Sequence, residues 1–159
     1  MARRYWLMKS EPGTYSIQDL AREGTAPWDG VRNYQARNFM KNDMKVGDLM
    51  LFYHSSAKPS GVAGVGKVVK KAYPDFTQFI DGHAYFDPTA EEEDPRWWMV
   101  DVGFVETFDE VISLAELKAM PSLKKMLVVQ KGQRLSVQPV DKQHFREVLR
   151  MANAKTRVR

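Results

Sequence analysis

DLMLFYHSSAKPSGVAGVGKVV, Asp48 to Val69, decides the fold class of this chain. After Asp48 the run through His54 is almost wholly apolar and aromatic, the composition of a strand that crosses a core. SSAKPS, Ser55 to Ser60, interrupts it with proline and small polar residues. Gly61 to Val69 then reads as a second strand, and the pair predicts a hairpin. Gly61, Gly64 and Gly66 lie inside this β-like run rather than between a strand and a helix. They mark a bulge or a close backbone approach, not a dinucleotide fingerprint.

The flanks supply the other elements. Tyr5 to Lys9 (YWLMK) predicts a first strand, stopped by Pro12 and Gly13. Ser16 is a helix N-cap with Asp19 three residues on, a weak capping box, and Ile17, Leu20 and Ala21 form the apolar stripe. A loop leads to a second helix near Tyr34 to Lys41, and Val46-Gly47-Asp48 turns into the hairpin. Arg96 to Phe108 alternates, so Trp98, Val100, Val102 and Phe104 share a face predicted to be core, with Trp98 structural. Ser113 opens a helix through Met120, ended by Pro121. Arg134 to Val140 is a short strand, and Asp141 caps a last helix with Phe145, Val148, Leu149 and Ala152 at helical spacing. Between Asp75 and Asp94 lies a polar insertion whose acidic run, Glu91 to Asp94, reads as solvated. Strands hold the centre and helices the ends, so the class is α+β, a small barrel-like domain. Residues 1–159 read as one domain, with 153–159 a flexible basic tail.

WDGVRNYQARN, Trp28 to Asn38, carries the chemistry. It sets two aromatics, two arginines, two asparagines, a glutamine and an aspartate around one glycine. Flat aromatic faces stack on planar rings, and amide side chains pair with base edges. Arginine adds a permanent planar charge suited to phosphate or to stacking. The segment therefore reads as a site for a flat, polar, phosphate-linked ligand. The plainer alternative makes Trp28 a buried anchor and Arg37 a solvated helix residue.

Charge is distributed unevenly. Residues 1–71 hold twelve Lys/Arg against six Asp/Glu, residues 72–116 one against twelve, and residues 117–159 eleven against two, for a net +4. Two basic thirds folded together make a positive face that steers polyanions. The chain has no cysteine, which excludes disulfides, thiolate zinc sites, cysteine nucleophiles and the zinc deaminase signature. His54, His83 and His144 show no metal-ligand spacing, so no metal or cofactor is expected. There is no phosphate-binding loop of the Walker type and no nucleophile elbow. No apolar run approaches membrane-span length, and Lys9 and Glu11 cut the N-terminal run too short for a signal peptide. A soluble intracellular protein is expected, cytoplasmic, or nuclear in a eukaryote.

YWLMKSEP (Tyr5 to Pro12), WDGVRNYQARN, LFYHS (Leu51 to Ser55), GVAGVGKV, YPDFTQF (Tyr73 to Phe79), YFDP (Tyr85 to Pro88) and RLSVQPV occur in that order. Together, from about Tyr5 to Leu149, they closely resemble the EVE domain family. That resemblance implies a PUA-like fold, a curved β-barrel with flanking helices, related to YTH, PUA and ASCH domains. It also implies a non-catalytic module that binds nucleic acid, DNA or RNA, and recognises a modified base in one deep pocket, modified cytosine in DNA above all. Carried onto the matching motifs, the resemblance assigns Lys9, Ser10 and Glu11 to one rim and Trp28, Val31, Arg32, Asn33, Tyr34 and Gln35 to the stacking and edge-reading wall. Tyr53, His54 and Ser55 finish the second core strand beside the pocket. Arg134, Ser136 and Gln138 alternate and so point to one side of a strand.

Other roles stay open for several of these residues. Tyr53 and Tyr34 read equally as core aromatics. The plainer alternatives have His54 hydrogen-bonding a backbone carbonyl, Glu11 pairing with Arg32 or Arg134, and Gln138 ending a strand without a partner. A competing function is a metal-free nucleobase or nucleotide hydrolase using Glu11 and His54, with Asp29 as a further acid–base group. A third is an interaction module whose acidic loop holds a basic partner.

Overall fold

A computed structural model describes residues 3–158. Six strands form one sheet in the order β2-β5-β4-β3-β1-β6: β1 (Tyr5–Ser10), β2 (Thr25–Pro27), β3 (Leu49–His54), β4 (Gly61–Pro74), β5 (Trp98–Ser113) and β6 (Val137–Pro139). The predicted hairpin is the sheet's centre: β3 and β4 pair antiparallel, with a register shift between Phe52 and Tyr53. β4 and β5 run longer than their sequence patterns and pair through several bulges. Gly64 shows why glycine sits there. A Cβ would fall 2.3 Å from the Glu106 carbonyl oxygen and 2.8 Å from Ile17. β1 and β3 are parallel, because the chain between them crosses over through two helices and β2.

The sheet is open, which corrects the barrel expectation. β2 and β6, at its two edges, are three residues each, and Pro27 and Pro139 offer no N–H to a closing ladder. Its two faces carry two cores. Tyr5, Leu7, Leu49 and Leu51 belong to the first, and Trp6, Met8, Met50 and Phe52 to the second, as strand alternation requires. Arg96–Phe108 follows the same logic less simply than expected. Val100 and Val102 are buried, but so is Met99 from the other parity, and Trp98 is partly exposed.

α1 (Ile17–Glu23) starts with the predicted capping box between Ser16 and Asp19. α2 (Tyr34–Asn38) runs into a π-helical turn, Phe39–Asp43, where a continuous helix to Lys41 was expected. α3 (Leu114–Ala119) has a second capping box, Ser113 with Glu116. α4 (Lys142–Met151) starts after Asp141, which occupies the N-cap position but makes no capping bond with its side chain. Helices α3 and α4 cover the first core, and α1 and α2 the second. Residues 153–158 are docked where a loose tail was expected. Ala154 and Val158 are buried in the first core, and the Lys155 and Thr156 N–H groups donate to Glu106 at 2.8 and 2.9 Å. Arg159 lies outside the described residues. Among the described residues no helix is long and apolar enough to cross a membrane.

Candidate functional site

The ends of β1 and β3, the loop entering β6 and the segment from Ala26 to Arg32 surround a cavity of about 820 Å³. That volume lies within the roughly 300–1,000 Å³ range of small-molecule sites. Nine sequence-assigned residues line it: Lys9, Ser10, Glu11, Trp28, Val31, Arg32, Ser55, Arg134 and Ser136. Four separate segments thus converge, as the motif pattern requires.

Trp28 is both wall and anchor. It is only 7% exposed and meets Phe52 edge-on, with ring centroids 5.3 Å apart at 81°. Its backbone N–H donates to the Val100 carbonyl at 2.8 Å. Burial and the contact with Phe52 therefore hold the indole in place before any ligand arrives. Tyr85 lines the same cavity, with the Arg32 guanidinium 5.5 Å from its ring centroid. Arg32 is held from several sides: it donates to Asp75 at 3.1 Å, to Thr77 at 3.1 Å and to the Tyr85 carbonyl at 2.7 Å. Gly30 permits this closeness. Its φ of +81° suits glycine, and a Cβ would sit 2.5 Å from the Tyr85 ring.

Asp75 organises that wall without touching the cavity. It has no solvent exposure and accepts from Gly30 N–H at 2.8 Å, Arg32 Nη1, Thr77 N–H at 2.9 Å and the Thr77 hydroxyl. Burial pushes its carboxyl up, but these bonds together outweigh burial and leave the pKa below the ordinary aspartate value. Asp29, inside the cavity, goes the other way. Half-burial and then the charge of Asp75 raise it, against the pull of His83 and Arg32. His83 Nδ1 accepts from Tyr85 N–H at 3.0 Å, which places the proton of a neutral ring on Nε2. The cavity thus offers flat walls, an acceptor at Asp29, a donor at His83, and cations at Lys9, Arg32 and Arg134. At the rim Tyr15 donates to Glu23 at 2.5 Å.

Six assigned residues stand elsewhere. Asn33 caps α2, its Oδ1 accepting from Ala36 N–H at 2.9 Å, and Gln35 is exposed on that helix. Tyr34 stacks on Trp97 at 4.9 Å and lines a different groove with Arg37, Lys41 and Arg96. Tyr53 is buried in the first core. His54 is also buried, and its Nε2 accepts from Ile17 N–H at 3.1 Å, so it anchors α1 instead of facing a ligand. Gln138 is buried with its Nε2 donating to the Leu135 carbonyl at 2.8 Å. That bond pins the bend in which Arg134 and Ser136 leave the strand, so β6 is shorter than Arg134 to Val140.

The residues that sequence reasoning missed are Tyr15, His83, Tyr85 and Gln133 in the lining and Asp75 behind it, while Asp29 had been offered only as an acid–base group of the competing hydrolase. The YPDF and YFDP motifs, Tyr73 to Phe76 and Tyr85 to Pro88, carried the signal for Asp75 and Tyr85. Among the described residues no group of three or more acidic or histidine side chains is placed to hold a metal ion.

An open mixed sheet with helices on both faces and one cavity at its end defines a PUA-like α+β domain. Residues 4–151 match the EVE domain, and the chain belongs to that family. It is 45% identical over 163 residues to human thymocyte nuclear protein 1, covering 91% of this chain and 72% of that protein. A solved structure of a Pseudomonas syringae protein superposes with a TM-score of 0.90 at 49% identity, covering 93% of this chain and 99% of that one. The human THYN1 protein, solved in complex with 5-methylcytosine-containing DNA, superposes with a TM-score of 0.87 at 43% identity, covering 96% and 99%.

Proposed function

We propose that this protein is a non-catalytic reader that takes one modified base of DNA, 5-methylcytosine or a related cytosine, into the cavity beneath Trp28. One observation carries the reading. A cavity with two flat walls, Trp28 and Tyr85 with Arg32, lies in a chain 43% identical to a protein solved on 5-methylcytosine DNA. Extruding a base costs a few kcal/mol, and rigid stacking surfaces with edge contacts offset it. Because Trp28 is already fixed against Phe52, binding orders no further side chain there. The basic surface contributes phosphate contacts that carry no sequence information.

A hydrolase built on Glu11 and His54 gains no support from the geometry. The His54 Nε2 lone pair is occupied by Ile17 N–H, and Glu11 is exposed. The test compares duplexes identical but for one 5-methylcytosine, by fluorescence anisotropy. Tighter binding of the methylated duplex is expected, with the oligonucleotide mass unchanged after prolonged incubation. Equal affinities for both duplexes, or product formation that Glu11→Gln abolishes, would overturn the reader.

A further inference from the structure

Lys142, Arg146 and Arg150 recur every four residues along α4 and are all exposed, so they form one cationic stripe. At 1.5 Å per residue the stripe is about 12 Å long. Past the helix the chain turns at Asn153, with φ 54°, and folds back. Arg157 thereby joins Arg146 and Arg150, with Asn153 and Thr156, around a second cavity of about 350 Å³. This turn is built, not incidental. Ala154 and Val158 are buried beside it, Glu106 accepts from Lys155 N–H and from the N–H and hydroxyl of Thr156, and Arg157 Nη1 donates to the Ala154 carbonyl at 2.7 Å. Among the described residues no carboxylate lines the cavity. Arg150 pairs with Glu147 at 2.7 Å, while among the described residues Lys142, Arg146 and Arg157 form no ion pair.

Arg146 and Arg157, which have no carboxylate partner among the described residues, stand with the Glu147-paired Arg150 around this cavity, and an anion there offsets their uncompensated charge. Their planar forks match phosphate oxygens in pairs. α4 and this turn pack on the first core, whereas Trp28 packs on the second, so the two sites lie on opposite faces of the sheet.

We propose that Arg146, Arg150 and Arg157 form a second phosphate site, which holds the backbone of a nucleic-acid segment other than the one whose base enters the cavity at Trp28. The assignment rests on the nucleic-acid reading above. With one phosphate per 3.4 Å of each strand, a stripe of about 12 Å spans about three or four phosphates.

The test uses the full chain carrying Arg146→Gln and Arg157→Gln, with Arg150 left in its pair with Glu147. Affinity for an unmodified duplex is measured against salt concentration. The slope of log K on log salt should shrink by about 1.8, that is about 0.9 for each phosphate contact removed. The ratio of affinities for methylated and unmodified duplex should stay at the wild-type value, since the base cavity is untouched. An unchanged slope, with methylated duplex still preferred, overturns this site and leaves the reader intact. Wild-type protein that binds no DNA overturns both. Inorganic phosphate, titrated at constant ionic strength, separates the two sources of phosphate. Saturable thermal protection that the double variant loses, together with an unchanged DNA slope, would make this a small-anion site and overturn the backbone assignment.

Discussion

Asp75 is a carboxylate with no solvent exposure, and it persists because four donors meet it. Two of those donors, Gly30 N–H and Arg32, belong to the wall of the cavity, so a residue outside the site sets its shape. Asp75→Ala strands the Arg32 guanidinium, which is itself largely buried. Removing one partner of a buried pair typically destabilises by about 3–5 kcal/mol. Urea denaturation should show a loss on that scale, with weaker binding of methylated duplex. A wild-type midpoint would mean that Tyr85 and Thr77 hold Arg32 by themselves. Trp28 and Arg32 were legible from the composition of their segment, whereas Lys9, Ser10 and Glu11 were reached only through the resemblance to the EVE domain family. Asp75 and Tyr85 left only a motif-level trace, in YPDF and YFDP, and His83 left none. Arg32 meets the Tyr85 carbonyl across 53 residues of chain, and no local periodicity records such a contact.

α2 shows how an element converts one kind of residue into another. Asn33 has the amide chemistry of a base reader, yet it starts a helix, and its side chain accepts from the Ala36 N–H of that helix. Asn33→Ala should lower stability by about 0.5–2 kcal/mol, the usual effect of losing an N-cap. Preference for methylated over unmodified duplex should survive in the folded variant, and loss of that preference would return Asn33 to the site. The same competition limits what the sequence reveals of the fold. The β3–β4 hairpin was readable because two unbroken apolar runs flank a proline-containing loop. β2 was not, since Thr25–Pro27 is three residues with a proline and pairs only because β5 passes beside it. The closed barrel fails for a related reason: edge strands this short, each with a proline, cannot join. Closure depends on the ends of the sheet, where sequence patterns are weakest.

Across the whole molecule the buried titratable groups set how stability follows pH. Burial holds His54 below its ordinary pKa, and its bond from Ile17 N–H requires a neutral Nε2. A depressed folded pKa means that this contribution is present above the unfolded value of about 6.5 and is lost as pH falls through the folded value. Asp75 and Glu106 form a later group. Burial raises each, but hydrogen bonds from Thr77, Gly30 and Arg32, and from Lys155 and Thr156, bring both below ordinary carboxylates. Asp87, bonded by Thr89 and Trp97, is lowered to about 2. Their contributions are present above the unfolded values of about 4 and are lost as pH falls further. Asp29 has the opposite sign. Its raised pKa favours the folded state in acid and offsets a little of that loss. Exposed pairs such as Arg22 with Asp19 add little to either stage. Urea midpoints measured from about pH 7.5 to pH 2 should therefore fall in two stages, one starting near the histidine range and one below about pH 4. His54→Gln keeps a polar side chain but cannot titrate, so it should flatten the upper stage and leave the lower one. If the upper stage persists in that variant, the role given to His54 fails.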